Sequence, residues 1–109
     1  MNQARLALPA ACLMLAALAA TPVLASSDEA WEEMRADVAA KCLKAAEEMI
    51  ENAKSIVDPF GSQSYGLALV SGMAKGGGSR ITHICVYDKQ ANTVELGSEL
   101  TDDALTPGE

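Results

Sequence analysis

Two periodicities divide the chain. From Trp31 onward, apolar side chains recur at Met34, Val38, Cys42, Ala45, Met49, Ala53 and Ile56. Steps of three and four residues put them on one face of a helix. Glu33, Asp37, Lys41, Lys44, Glu48 and Glu51 fill the polar positions, with Asp37 and Lys41 spaced as a favourable i, i+4 pair. Ser26-Ser27 reads as the start: Ser26 and Glu29 have capping-box spacing, and Asp28, Glu29, Glu32 and Glu33 complement the positive end of the helix dipole. Asp58-Pro59 is the expected stop, because the residue before proline is pushed out of the helical region.

After a turn-rich connector, Pro59 to Ser64, the period changes to two. Tyr65 to Gly72 alternates large Tyr65, Leu67 and Leu69 with Gly66, Ala68 and then Val70, as a strand does. Met73 to Arg80 contains three consecutive glycines and reads as a hairpin loop. Ile81 to Asp88 is the most strand-like segment, Lys89 to Asn92 a turn, and Thr93 to Gly97 a short third strand. From Ser98 the chain reads as a flexible acidic tail to Glu109. The expectation is an α+β fold: one long N-terminal amphipathic helix packed on a three-stranded antiparallel meander, a single domain over residues 26–97.

What precedes the helix changes the cysteine count. Residues 1–25 have the layout of a secretory signal peptide: Arg5 in a short basic start, the apolar run Leu6 to Ala20, then Thr21-Pro22 and Val23-Leu24-Ala25 before a cleavage point. Cleavage after Ala25 gives a periplasmic or secreted protein without a membrane anchor. It also removes Cys12 and leaves Cys42 and Cys85, which an oxidising compartment is expected to join. A bridge between positions 43 apart stabilises by about 4 kcal/mol in the chain-entropy model. The leader takes one basic residue and no acidic one, so a net charge of −7 becomes −8. Such a surface repels phosphate backbones and anionic lipid headgroups, which disfavours nucleic acid as a partner.

The bridge also fixes parity. If Cys42 on the apolar helix face bonds Cys85, then Ile81, His83, Cys85 and Tyr87 face the helix. Ile84 and Val86 then lie on the far face, with Val70 and Ala68 expected beside them. An uncovered sheet face ordinarily presents polar residues to water, so this apolar strip predicts a cover: a protein partner, a second copy of the chain, or its own connector or tail.

Chemistry is thinly represented. His83, the only histidine, has no carboxylate and nucleophile placed around it by spacing, so no catalytic residue is assigned. One histidine and two paired cysteines do not make a zinc site, no calcium-loop spacing occurs, and no metal or cofactor is expected. The glycine loop lacks phosphate-loop spacing and leads into a strand, although Lys75 and Arg80 make it a basic spot on an acidic protein. Phe60, the lone phenylalanine, sits at a turn as a second candidate contact. In outline the chain is similar to small exported single-disulfide proteins of bacteria, a likeness that transfers no residues. The expected activity is that of a non-enzymatic binding or accessory module, an inhibitor of an exported hydrolase being one example. The alternative is a small exported enzyme using His83 as acid or base.

Overall fold

The computed structural model describes residues 27–108, so the proposed leader and its cleavage point lie outside the described residues. The fold is α+β: one N-terminal helix, α1 (Asp28–Ala46), packed on an antiparallel meander of β1 (Ile50–Val57), β2 (Tyr65–Ala74), β3 (Arg80–Asp88), β4 (Val94–Leu96) and β5 (Leu100–Thr101). The sheet order is β1-β2-β3-β4, and β5 joins the same edge of β3 as β4, further along the strand.

Ser27 is the N-cap; its hydroxyl accepts the Ala30 N–H at 3.0 Å, and Ser26 lies outside the described residues. The helix ends well before the expected Asp58. Its apolar spacing continues through Met49, Ala53 and Ile56, but Glu47 and Glu48 put negative charge at the negative end of the dipole. Beyond them Ile50, Ile56 and Val57 are β-branched and suit a strand. As a strand, this segment pairs with β2 from Ile50↔Ala74 to Val57↔Ala68 and satisfies a backbone edge that a longer helix would leave open. The residues of the expected helical stripe therefore separate: Ala53 is half-buried against the core while Met49 and Ile56 are exposed, and Ile50, outside that stripe, is the residue buried beneath α1.

A bulge makes that separation. Between Glu51↔Met73 and Lys54↔Ser71, β1 spends one residue more than β2, and Asn52 there takes φ +50°. The extra residue inverts parity. Ile50 faces the helix before the bulge; after it Ser55 and Val57 do, and Ile56 turns to the opposite face.

The core lies between α1 and the inner face of the sheet: Val38, Cys42 and Ala46 meet Ile50, Ala68, Val70, Ile81, Cys85 and Tyr87. Cys42 and Cys85 form the expected disulfide, with Cα atoms 5.9 Å apart and both residues buried. Close approach rests on two glycines of β2. A Cβ on Gly66 would stand 2.8 Å from the Val38 side chain, and one on Gly72 would stand 2.5 Å from that of Ile50. The segment after Ser98, expected as a tail, first contributes β5, where Leu100 pairs with Thr82 and Thr101 with Ile81.

Candidate interaction face and the buried histidine

The β2–β3 register decides which residues share a face. Val70 pairs with His83 and Ala68 with Cys85, so both β2 residues lie under the helix. Val70 is fully buried, which corrects its expected place beside Ile84 and Val86. The physical reason is volume. Helix and sheet approach where side chains are smallest: Gly66, which makes room for Val38 of α1, and Ala68 share the parity of Val70, as does Gly72, which makes room for Ile50 of β1.

Ile84 and Val86 are on the outer face as expected. Their cross-strand neighbours there are Leu69 and Leu67 respectively, and Ile56 extends the row from Ile84 through Leu69 to the β1 edge. Tyr65 and Met73 stand at the two ends of β2 on the same face. The row is open to solvent, with Ile56 70 %, Leu69 37 % and Ile84 44 % exposed, and among the described residues neither connector nor tail covers it. Thr82, on this face, is buried and shares a hydrogen bond with Ser71 at 2.7 Å.

Charge is divided between the ends of this face. A shallow depression at one end is lined by Glu51, Lys54, Met73 and Arg80 among others. Another, at the opposite end, is lined by Tyr65, Val86, Asp88, Thr93 and Glu95. Asp88 accepts the N–H groups of Ala91 and Gln90 through Oδ1, and these bonds hold its pKa below the ordinary carboxylate value.

His83 faces the interior at 5 % exposure. Its Nδ1 lies 2.8 Å from the Gly97 carbonyl; an oxygen that only accepts makes this nitrogen the donor. Gly97 is where the chain passes from β4 to β5, and its N–H donates to the Ile84 carbonyl at 2.7 Å. The imidazole thus bridges the break between two short strands. Nε2 is buried without a hydrogen-bond partner among the described residues.

Phe60, Lys75 and Arg80 fall at three different places. Phe60 meets Trp31 edge-to-face at 5.0 Å, and Arg35 lies over the Phe60 ring while donating to the Pro59 carbonyl. Lys89 completes the cluster through the carbonyls of Phe60 and Ser62, so Phe60 anchors the β1–β2 connector to the start of α1. Lys75 caps the far end of the helix by donating to the Glu47 carbonyl at 2.9 Å. Arg80 is exposed at the mouth of the glycine loop, beside the outer face.

One polar cluster had no sequence signal beyond the Asp37–Lys41 spacing. The Tyr87 hydroxyl donates to Asp37 across the helix–sheet junction and accepts from Asn92 at 2.7 Å, while Lys41 reaches Asp37 at 3.1 Å and the Asn92 carbonyl at 2.9 Å. The Tyr87 bond, with help from Lys41, lowers the pKa of Asp37; burial, then the adjacent carboxylate, raises that of Tyr87. Every member is engaged by another, as in a structural clasp.

Among the described residues no group of three or more His, Cys, Asp or Glu side chains is placed to hold a metal ion. No described helix is long and apolar enough to cross a membrane. No protein-family model, curated protein or solved structure matches this chain.

Proposed function

We propose that the protein is an exported, non-enzymatic binding module that works through the outer face of its sheet. The observation that carries this reading is the open row Ile56–Leu69–Ile84, flanked by Leu67 and Val86 and left uncovered by the rest of the described chain. Contiguous apolar surface exposed on a soluble domain marks an interaction site more often than an accident of composition. A bare antiparallel sheet has every opportunity to carry polar residues there instead. Export is supported by the layout of residues 1–25 and by the disulfide, a bond that persists in oxidising compartments. The burial of His83 and its commitment to a backbone carbonyl weigh against the imidazole as a working acid or base.

Site-specific photocrosslinking in the native envelope tests the reading. A photoreactive side chain replacing Leu69 is expected to give a discrete adduct, whereas one replacing Ala36, exposed on α1, is not. Equal capture from both positions, or none from position 69, overturns the proposal.

A further inference from the structure

We infer that the occupant of the outer face is a second copy of this chain, docked about a two-fold axis that crosses the strands at Leu69 and Ile84. The inference rests on the outer face being the working surface, and it is carried by the order of residues along β2 and β3. Leu69 and Ile84 are direct cross-strand partners near the centre of the exposed row. Counting outward from Ile84, four residues one way is Arg80 and four the other way is Asp88. From Leu69 the same steps reach Met73 and Tyr65. At about 3.4 Å per residue, each lies roughly 14 Å from the centre.

A half-turn about an axis lying in the face and running across the strands exchanges the ends of every strand. It sets Ile84 against the partner's Ile84 and Leu69 against the partner's Leu69. It brings Arg80 to the partner's Asp88 and Met73 to the partner's Tyr65, each contact occurring twice, as an isologous interface requires. Aligned face-to-face sheets pack about 10 Å apart with strand directions within about 30°, which leaves this pairing within reach of long side chains. The charges select this axis over the other two-fold in the plane. An axis parallel to the strands would keep each end with its own kind, setting Asp88 and Glu95 against the same acidic end of the second copy. Arg80 and Lys54 would then face a basic end. Like charges so juxtaposed penalise that arrangement. Glu51 is the exception at the basic end; Arg80 has no ion-pair partner among the described residues, and Asp88 engages its own turn through Oδ1, leaving Oδ2 for a partner.

Sedimentation equilibrium of the exported protein, with paired variants, tests this. The expected result is twice the chain mass, returning to the single-chain mass for Ile84→Lys, which sets two ammonium groups on the axis. Arg80→Glu is expected to weaken association on the order of 10-fold or more, and combining it with Asp88→Lys to restore it. Because Asp88 also holds its turn, unfolding midpoints are recorded for each variant. Independent of charge, Leu69→Cys is expected to crosslink to itself under a short bis-maleimide. Arg80→Cys and Asp88→Cys should crosslink only when the two variants are mixed. A wild-type chain that sediments singly at the highest soluble concentration overturns the second-copy inference, as does a dimer indifferent to Ile84→Lys or a Leu69→Cys that fails to crosslink. If that single chain still gives a foreign adduct from position 69, the binding reading stands alone; with no adduct from that position, both fall.

Discussion

The two faces of one sheet are built from similar residues and meet opposite fates. Ile81 and Ile84 are three positions apart on β3, yet Ile81 is 2 % exposed beneath α1 and Ile84 is 44 % exposed on the far side. The inner face is over-determined: a disulfide ties it to the helix, Gly66 lets Val38 of α1 approach, Gly72 lets Ile50 of β1 fold in, and the Tyr87–Asp37 clasp closes one end. The outer face has comparable apolar character along its central row and none of these devices. Apolar side chains therefore do not by themselves make a core. What distinguishes a core is the small residues and cross-links that let a second layer come close, and the described chain supplies no such layer on the outer face.

The largest effects belong to the inner face. Replacing both Cys42 and Cys85 by Ala is expected to lower the unfolding free energy by about 4 kcal/mol in denaturant titration, since the bridge closes a long loop of the unfolded chain. Ile81→Ala, which empties a fully packed site, should cost about 2–5 kcal/mol. Ile84→Ala on the other face should change the stability of the isolated chain by no more than about 0.5 kcal/mol while weakening association. Comparable losses at 81 and 84 in a monomeric sample would erase the distinction between the faces.

The same contrast separates what the sequence made legible. Three signals held: the helix start within Ser26-Ser27, where Ser27 is the N-cap in place of the capping-box Ser26, the two long strands with their glycine hairpin, and the Cys42–Cys85 link that set the parity of β3. Two signals misled because tertiary pairing outvoted them. The helical spacing through Met49, Ala53 and Ile56 is real, but an open β2 edge and β-branched Ile50, Ile56 and Val57 turned that segment into β1. Val70 followed its neighbours Ala68 and Gly72 under the helix, and the run of small residues on its parity was the available clue. Ile56 on the outer face was out of reach, because it depends on one extra residue at Asn52 that no periodicity announces. The clasp was hidden for a similar reason: Asp37 and Tyr87 stand 50 positions apart and meet only once helix and sheet have docked.

That clasp predicts an intermediate effect with a pH signature. Tyr87→Phe keeps the ring and removes the hydroxyl, so it should cost about 1–2 kcal/mol near neutral pH, the scale of a hydrogen bond to a charged group at a half-exposed site. Asp37 titrates lower in the folded chain than in the unfolded one. Its contribution is present above the ordinary carboxylate value near 3.9 and fades as acid protonates the folded state. Tyr87 titrates higher when folded. Its contribution is therefore full below the ordinary phenol value near 10 and is lost as pH rises through the folded value. The wild type should lose more stability than Tyr87→Phe on both limbs of a stability–pH curve. Parallel curves would show that the hydroxyl does not couple to either titration.

The smallest effect tests whether the connector belongs to the inner or the outer side of the comparison. Phe60 is 55 % exposed, which on exposure alone would place it with the binding residues. Its contacts assign it differently, because its edge-to-face packing on Trp31 and the Arg35 bond to the Pro59 carbonyl fasten the connector to α1, and the Lys89 bonds to the Phe60 and Ser62 carbonyls fasten it to the end of β3. An aromatic pair of this kind contributes about 0.5–1.5 kcal/mol beyond its buried area, and half-exposure puts Phe60 at the lower end. Phe60→Leu should therefore cost about 0.5 kcal/mol, accelerate proteolysis between Pro59 and Ser64, and leave association through Leu69 and Ile84 unchanged. A variant that dissociated without loosening the connector would move Phe60 to the interaction face, and the boundary of that face would have to be redrawn around the end of β1.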